Sequence, residues 1–472
     1  MSKVIGTALL AAGEGTRMKL NIPKPLAPLL GGRMIDFPLE QVEKFYHDLN
    51  ITGSITAITG HQRDLVENYL QERNGQLKGE PIQFAFQRQQ LGTADAVRSY
   101  LASNPDLRNC EYTLVICADT PLISSEELSL LFLQLRDGKL DGVAATFETS
   151  NPTGYGRIVR PSSGDGFHIV EEKDANDEVR QIKEVNSGLY IIKTSFLVKQ
   201  LETIDSNNQA GEFYLTDLFQ DSQAVKAVLF STGEKFLGVN DMVQLETAAR
   251  YLRYQKNSNL MRSGVRMIDS LSTYIDWKID IAPATVIYPN VIIEGCSQIG
   301  AGVTINAGAV IRDSIIEDEA EIKAYSHLDS CHVGQNAAIG PFARLRPNAE
   351  IGANSKIGNF VEIKKSKLAQ GVKVSHLSYL GDTEVGEESN IGCGFISCNY
   401  DGANKHLTKI GSHTFIGSDS QMVAPIQIGD RCFVASGSTI TNDMPDDSFA
   451  IARSKQSTKE GVAKKFLKVK KK

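Results

Sequence analysis

The stretch IAPATVIYPNVIIEGCSQIGAGVTINAGAVI, Ile281 to Ile311, places isoleucine at every sixth position: Ile281, Ile287, Ile293, Ile299, Ile305 and Ile311. Two further series keep the step: Ile339, Leu345, Ile351, Ile357 and Ile363, then Ile410, Ile416, Met422, Ile428, Val434 and Ile440. A helix repeats every ~3.6 residues and a strand every ~2, so neither explains the pattern. A left-handed parallel β-helix does, because each triangular coil spends one hexapeptide per face and turns one aliphatic side chain inward from each. Such solenoids are scaffolds that pack side by side as oligomers. Chemistry is therefore expected where the ladder is interrupted, at 312–338, 364–384 and 392–409, read as insertions that loop outward.

Working outward, residues 1–240 alternate β-branched runs with amphipathic stretches. Strands are expected at Val4–Leu10, Ser54–Thr59, Ile82–Gln87 and Tyr112–Cys117. That alternation predicts an α/β domain with a mostly parallel sheet, whose site lies on the loops after the first and fourth of these strands. From Asp241 the apolar residues Met242, Leu245, Ala249 and Leu252 fall at helical steps, with Asp241 and Gln244 spaced as a capping pair. The organisation read from this is a first domain at 1–240, a helical linker arm at 241–264, a β-helix domain at 265–455 and a basic tail at 456–472.

The chain of 472 residues, 41% hydrophobic and 22% charged, has the composition of a soluble globular protein. No apolar run approaches the ~18 residues of a membrane span. The run Val4–Ala12 is broken by Gly6 and leads into a Gly-rich turn, so it reads as a strand and not as a secretory signal. Seven cysteines without a CxxC pair argue against a disulfide framework or structural zinc, and for a cytoplasmic protein. The terminal KKFLKVKKK, Lys464–Lys472, carries six lysines in a chain of net charge −6. It reads either as a nucleic-acid or membrane tail or as a solvated terminus beside an anionic ligand. Without aromatic interleaving the second reading is preferred, so neither nucleic acid nor membrane is expected as a partner.

The loop after the first strand, LAAGEGTRM (Leu10–Met18), continues to Pro23, Lys24 and Pro25. Gly13 and Gly15 let backbone N–H groups approach a phosphate, and Arg17 and Lys24 supply positive charge. The spacing is not GxGxxG, which favours a nucleotide phosphate over a nicotinamide cofactor. The fourth strand ends at Asp119, where a carboxylate facing a phosphate loop is suited to Mg²⁺. Further motifs are QLGTADA (Gln90–Ala96), NPTGYGRIVR (Asn151–Arg160), IVEEKDANDE (Ile169–Glu178), EVNSGLY (Glu184–Tyr190) and GEFYLTD (Gly211–Asp217).

In order and spacing these motifs resemble the Rossmann-like nucleotidyltransferase domain of bacterial N-acetylglucosamine-1-phosphate uridyltransferases. The resemblance implies that Leu10, Ala11, Ala12, Gly13, Gln87, Gly92 and Thr93 hold the uracil and ribose of UTP. It implies that Gly156, Glu171 and Asn186 bind the N-acetylglucosamine moiety, and that Asp119 and Asn240 are the Mg²⁺ ligands. The implied reaction is in-line attack of N-acetylglucosamine 1-phosphate on the α-phosphorus of UTP, with Arg17 and Lys24 neutralising charge.

In the second half, GPFARLRP (Gly340–Pro347) places Arg344 and Arg346 on one coil, with Glu362, Lys364 and Lys365 about three faces later. Clustered cations on a solenoid face suit a sugar phosphate. His376 lies in VSHLSYLGD (Val374–Asp382), followed by NIGCGFISCNYDGANK (Asn390–Lys405) and IGSDSQMVAP (Ile416–Pro425). These segments are similar to the acetyltransferase half of the same bacterial family. That likeness assigns His376 as the general base acting on glucosamine 1-phosphate and Lys405 as an assisting residue. It assigns Arg346, Lys364, Tyr379 and Asn390 to the amino-sugar phosphate, and Cys393, Asn399, Tyr400, Ser418, Ser436 and Arg453 to acetyl-CoA, with backbone N–H groups near Cys393 for the oxyanion. It further implies a homotrimer with the acetyl-transfer pocket between neighbouring chains. The expectation is a bifunctional enzyme of UDP-N-acetylglucosamine biosynthesis. The alternative is a single-activity sugar-1-phosphate nucleotidyltransferase whose β-helix only assembles oligomers.

Overall fold

In the computed structural model, residues 4–74, 80–161, 166–219 and 224–467 are described. The terminal lysines from 468 onward lie outside these residues. The chain forms two compact units, Met1–Leu252 and Arg253–Lys472.

The first unit is built on a mixed sheet of seven principal strands: β1 (Ile5–Leu10), β2 (Gly53–Thr59), β3 (Gln83–Phe86), β4 (Tyr112–Cys117), β5 (Gly142–Glu148), β6 (Glu184–Lys193) and β7 (Val225–Phe230). Their order is β7-β5-β6-β4-β1-β2-β3, with a hairpin of Arg157–Val159 and His168–Val170 attached to β6. Only β6 among the seven runs antiparallel to its neighbours. Ile5, Leu9, Ala57, Leu114 and Ile116 are buried because helices cover the sheet, and the small polar residues between them, Thr7, Ser54, Thr56 and Thr113, are buried as well. Leu10 lies opposite both Ile58 and Cys117, which brings the carboxyl ends of three parallel strands level.

The helix Met242–Arg262 is capped by the expected pair Asp241 and Gln244, with the reciprocal bond offset by one residue. Asp241 Oδ1 accepts from the Gln244 N–H at 2.9 Å, while Gln244 Oε1 accepts from the N–H of Asn240 at 2.7 Å. The reciprocal bond thus restrains Asn240.

The second unit is a left-handed parallel β-helix whose short strands stack into three sheets of 11, 10 and 8 strands. Its first strand is Arg266–Met267, upstream of the isoleucine series. Two of the three expected insertions are absent as such. Across 312–338 the core continues through Ile316, Ile322, Leu328 and Val333, and across 364–384 through Leu368, Val374 and Leu380, all buried. What changes is coil length: Val286 pairs with Thr304, 18 residues on, but Thr304 pairs with Glu321, 17 residues on. A face of five residues drops one position and keeps its inward side chain, so strict six-residue counting loses the ladder there. Only the third interruption adds chain. Asn390 pairs with Phe415, 25 residues on, and the excess leaves the coil at residues 399–407.

Coil-to-coil approach is close. A Cβ placed on Gly358 would come within 1.8 Å of the Ser375 carbonyl oxygen on the next coil. One corner is occupied by non-glycine residues in the left-handed region, Tyr325, Phe342, Phe360 and Leu377. The exposed rings of the first three stack on successive coils, with centroids 5.3 and 5.4 Å apart, which offsets the backbone cost. Leu377 turns the same corner directly after His376.

Ile363 is fully buried in the coil that carries Lys364. Ile363→Ala is expected to lower the stability of the β-helix by about 2–5 kcal/mol, seen as a drop in its denaturation midpoint. An unchanged midpoint would contradict the packing described here.

Candidate active sites

The level strand ends open on a cavity of about 390 Å³ lined by Leu10, Ala11, Ala12, Gly13, Lys24, Gln87, Gly92, Thr93 and Asp119 among others. Nine of the expected nucleotide-site residues are therefore brought together. Gln87 is held by donating to the Gly92 carbonyl at 3.1 Å and to Asp95 at 2.9 Å. Gly92 has φ 115°, and a Cβ there would meet the Phe213 carbonyl oxygen at 2.5 Å. The GEFYLTD segment is strapped to this loop, since Ala94 N–H donates to Phe213 and Leu215 N–H donates to Thr93 Oγ1 at 3.0 Å. Gln90 and Glu212 also line the cavity and were not singled out from sequence. Gln90 reaches it by donating to the Ala12 carbonyl at 2.5 Å.

Lys24 forms an ion pair with Asp119 and donates to Asn240 Oδ1 at 2.8 Å. Arg17, exposed at the edge of the loop, donates to the same oxygen at 3.0 Å. The carboxylate of Asp119 and the amide oxygen of Asn240 thus converge on one cationic centre. This donor set fits a hard divalent ion that takes its remaining ligands from phosphate and water. No cluster of three or more His, Cys, Asp or Glu suited to a metal occurs among the described residues. Cys117, beside this pair, has its thiol pushed up to about 12, chiefly by burial and further by Asp119, and is no nucleophile at neutral pH.

Gly156, Glu171 and Asn186 form a second group in this unit. Asn186 N–H donates to the Gly156 carbonyl at 2.9 Å, and a Cβ on Gly156 would sit 3.5 Å from the Glu171 carboxylate. Burial raises the pKa of Glu171, opposed by a hydrogen bond from Thr216 at 3.0 Å and reinforced by Asp217, Asp174 and Glu212.

In the β-helix unit, register builds the second site. Asn359 lies opposite His376 one coil on. The pairing Val374 with Ile391 then carries this column to Cys393, Ile391 with Ile416 carries it to Ser418, and Ile416 with Val434 carries it to Ser436. Arg453 caps the column by donating to the Ser436 carbonyl at 2.7 Å. His376 is an exposed strand-end residue, not part of an outward loop. The Ser378 hydroxyl ties its carbonyl down at 2.8 Å. Asn359 Oδ1 accepts from His376 Nδ1–H at 2.6 Å, the tautomer that leaves Nε2 its lone pair. Asn359 was missed in sequence, although it stands 17 residues before His376, one short coil below.

The cations fall on the adjoining sheet. Glu362 lies opposite Tyr379 and Lys364 opposite Gly381, while Arg346 donates to Glu362 at 2.8 Å. The Tyr379 hydroxyl closes over Gly381, where a Cβ would clash with it at 2.4 Å, and Asn399 donates to Asp382 at 2.7 Å. Asn390 stands outward between Lys373 and Phe415. Tyr400 bridges to Lys405 across the excursion. Lys405 is near enough to Lys364 to lower its pKa, with Arg346 and Lys365 adding to the repulsion. Cations held this close together are poised for an anion.

Comparison with known proteins matches a nucleotidyl transferase family model over residues 7–234 and a bacterial transferase hexapeptide (six repeats) model over 330–365 and 407–442. The unmatched interval holds His376 and the excursion. The chain is 41% identical over 457 residues to the bifunctional protein GlmU of Trichlorobacter lovleyi, covering 96% of each chain. It is 40% identical over 461 residues to the bifunctional protein GlmU of Clostridioides difficile and 39% identical over 461 residues to that of Listeria monocytogenes, covering 97% of each chain in both cases.

The raised pKa of Glu171 has a stability consequence. Its folded pKa lies above the unfolded value of ~4.3, so burying the ionised carboxylate costs stability above the folded pKa, and the cost disappears as pH falls through that range. Glu171→Gln is expected to raise the melting temperature at pH 7 and to lose that advantage toward pH 4. An advantage that is constant with pH would show that the carboxylate is not burdened by burial.

Proposed function

The chain belongs to the family of bifunctional GlmU proteins, and from that premise we propose that it makes UDP-N-acetylglucosamine in two steps. The β-helix unit transfers acetyl from acetyl-CoA to glucosamine 1-phosphate, and the α/β unit transfers uridylyl from UTP to the product, releasing pyrophosphate. The observation that carries this reading is the presence of two separate polar sites, one in each unit and each with its own anion-binding cations. Lys24 serves the first, and Arg346, Lys364 and Lys405 serve the second.

For uridylyl transfer, the loop Leu10–Gly13 with Gln87, Gly92 and Thr93 holds the nucleoside, and Gly156, Glu171 and Asn186 hold the sugar. Asp119 and Asn240 would hold Mg²⁺, which when bound offsets the charge of the triphosphate. A sugar phosphate oxygen attacks the α-phosphorus as the bond to pyrophosphate breaks. Lys24 and Arg17 supply positive charge to the reacting and departing phosphates, so catalysis is mainly positioning and electrostatics.

For acetyl transfer, Arg346, Lys364, Tyr379 and Asn390 orient glucosamine 1-phosphate, with Lys405 assisting. Asn399, Tyr400, Ser418, Ser436, Arg453 and the Cys393 segment lie along the acetyl-CoA side. The amine attacks the thioester carbonyl carbon, His376 Nε2 accepts the proton, and the tetrahedral adduct expels the coenzyme A thiolate, which takes that proton back. Asn359 keeps the imidazole in the required tautomer. His376, Ser418 and Ser436 are exposed on the single chain. A homotrimer of side-by-side β-helices would exclude water from them, and that is the assembly proposed. No helix among the described residues is long and apolar enough to cross a membrane. A cytoplasmic enzyme acting on small-molecule substrates is the consistent setting.

His376→Ala should lower acetyl transfer by ~10²- to 10⁴-fold, read as free thiol release, while uridylyl transfer stays intact. Undiminished thiol release would remove His376 from the mechanism. Asp119→Ala should abolish Mg²⁺-dependent pyrophosphate release and spare acetyl transfer, and a variant that still releases pyrophosphate would refute the ligand assignment.

A further inference from the structure

Apart from Asn399, buried at its root, and the half-buried His406, the excursion at 399–407 is exposed and lacks a hydrophobic core, yet its single lysine, Lys405, is near enough to Lys364 to lower that lysine's pKa. Two neighbouring ammonium groups repel each other, so an unanchored loop would carry Lys405 away from Lys364. Something must hold it, and the carboxylate of Asp401 is placed to do so. It accepts from the Ala403 N–H at 2.8 Å, the Asn404 N–H at 2.6 Å and His406 Nε2 at 2.6 Å. These partners flank Lys405 on both sides in the chain.

The remaining contacts complete a small clamp. Asp401 N–H donates to the Asn404 carbonyl at 3.2 Å, and His406 N–H donates to the Asn399 carbonyl at 2.8 Å. Asn399 is itself anchored to Asp382 on the coil below at 2.7 Å. The excursion is therefore rooted on the β-helix at Asn399 and tightened around the Asp401 carboxylate, with Lys405 at the free edge.

We infer that Asp401 is a positioning residue for acetyl transfer: with His406 as its side-chain partner, its carboxylate holds Lys405 against Lys364 and so keeps the sugar-phosphate site charged before substrate arrives. The inference rests on the reading of Arg346, Lys364 and Lys405 as that site. Hydrogen bonds from the Asn404 and Ala403 N–H groups and from His406 hold the Asp401 carboxyl well below its ordinary value, so the clamp stays ionised across the working pH range. Pre-placing the cation moves the ordering cost away from the binding step.

Two measurements on the full-length protein test this. The first needs no activity: the rates at which an amine-acylating reagent labels Lys364 and Lys405 are compared with that of Lys409 by peptide mass spectrometry. In Asp401→Asn the labelling of Lys364 should slow several-fold toward the rate seen in Lys405→Ala, because the neighbour that lowers its pKa has moved away. His406→Phe, which keeps the two backbone donors, should fall between wild type and Asp401→Asn. Identical Lys364 labelling in wild type and Asp401→Asn overturns the inference.

The second is a steady-state cycle on acetyl transfer. Asp401→Asn should raise KM for glucosamine 1-phosphate about tenfold with a smaller change in kcat, and should have no further effect in a Lys405→Ala background. Additive losses in the double variant would mean that Asp401 acts other than through Lys405. If Lys405→Ala alone leaves acetyl transfer unchanged while the labelling shift is present, the clamp stands and the assignment of the sugar-phosphate site fails.

Discussion

Parallel strand register is the constraint on which both units depend. In the α/β unit it sets Leu10 level with Ile58 and Cys117, so the loops after three neighbouring strands open on the same edge of the sheet. In the β-helix it sets most residues above a counterpart 17 or 18 positions earlier, so a side chain's neighbours are fixed by coil arithmetic. The cause is the same in both. A slip of one residue would turn buried aliphatics such as Leu114 or Ile363 outward, and that cost pins the register. Functional side chains inherit this rigidity, as the column from Asn359 through His376 to Ser436 illustrates.

The sites use that rigidity to hold groups that repel each other or resist burial. Lys364 and Lys405 stand closer than two cations would choose, and Glu171 is a carboxylate whose burial raises its pKa. Each is held at a cost in the free protein. Stability is lost at these positions and recovered in the aliphatic core, which runs without a break from Ile281 to Ile440. Lys24 plays a related part, since its ammonium gathers Asp119 and Asn240, with Arg17 as a second donor to Asn240.

Coil length also distributes function. The five-residue faces let the solenoid continue while shifting which side chains stack, and the single 25-residue coil gives the otherwise uniform surface an arm. The hexapeptide family model matches at 330–365 and 407–442, and the interval between the two matches holds His376 and Lys405.

Sequence alone determined the two architectures and pointed to the Gly-rich loop with Lys24 and to Asp119, because aliphatic periodicity and Gly-rich loops are local signals, whereas the wider set of polar residues came from resemblance to a family. It misread 312–338 and 364–384 as insertions, since counting by six cannot see a five-residue face that still buries its Ile or Leu. Only the tertiary structure decided that Asn359 lies on His376, that Lys405 meets Lys364, that Asp401 braces the arm, and that Asn240 joins Asp119 through Lys24. Those pairs are separated by between four and more than two hundred residues, and what unites them is distance in space. That distance is set by stacked coils, a folded-back loop and aligned strand ends, which no local pattern encodes.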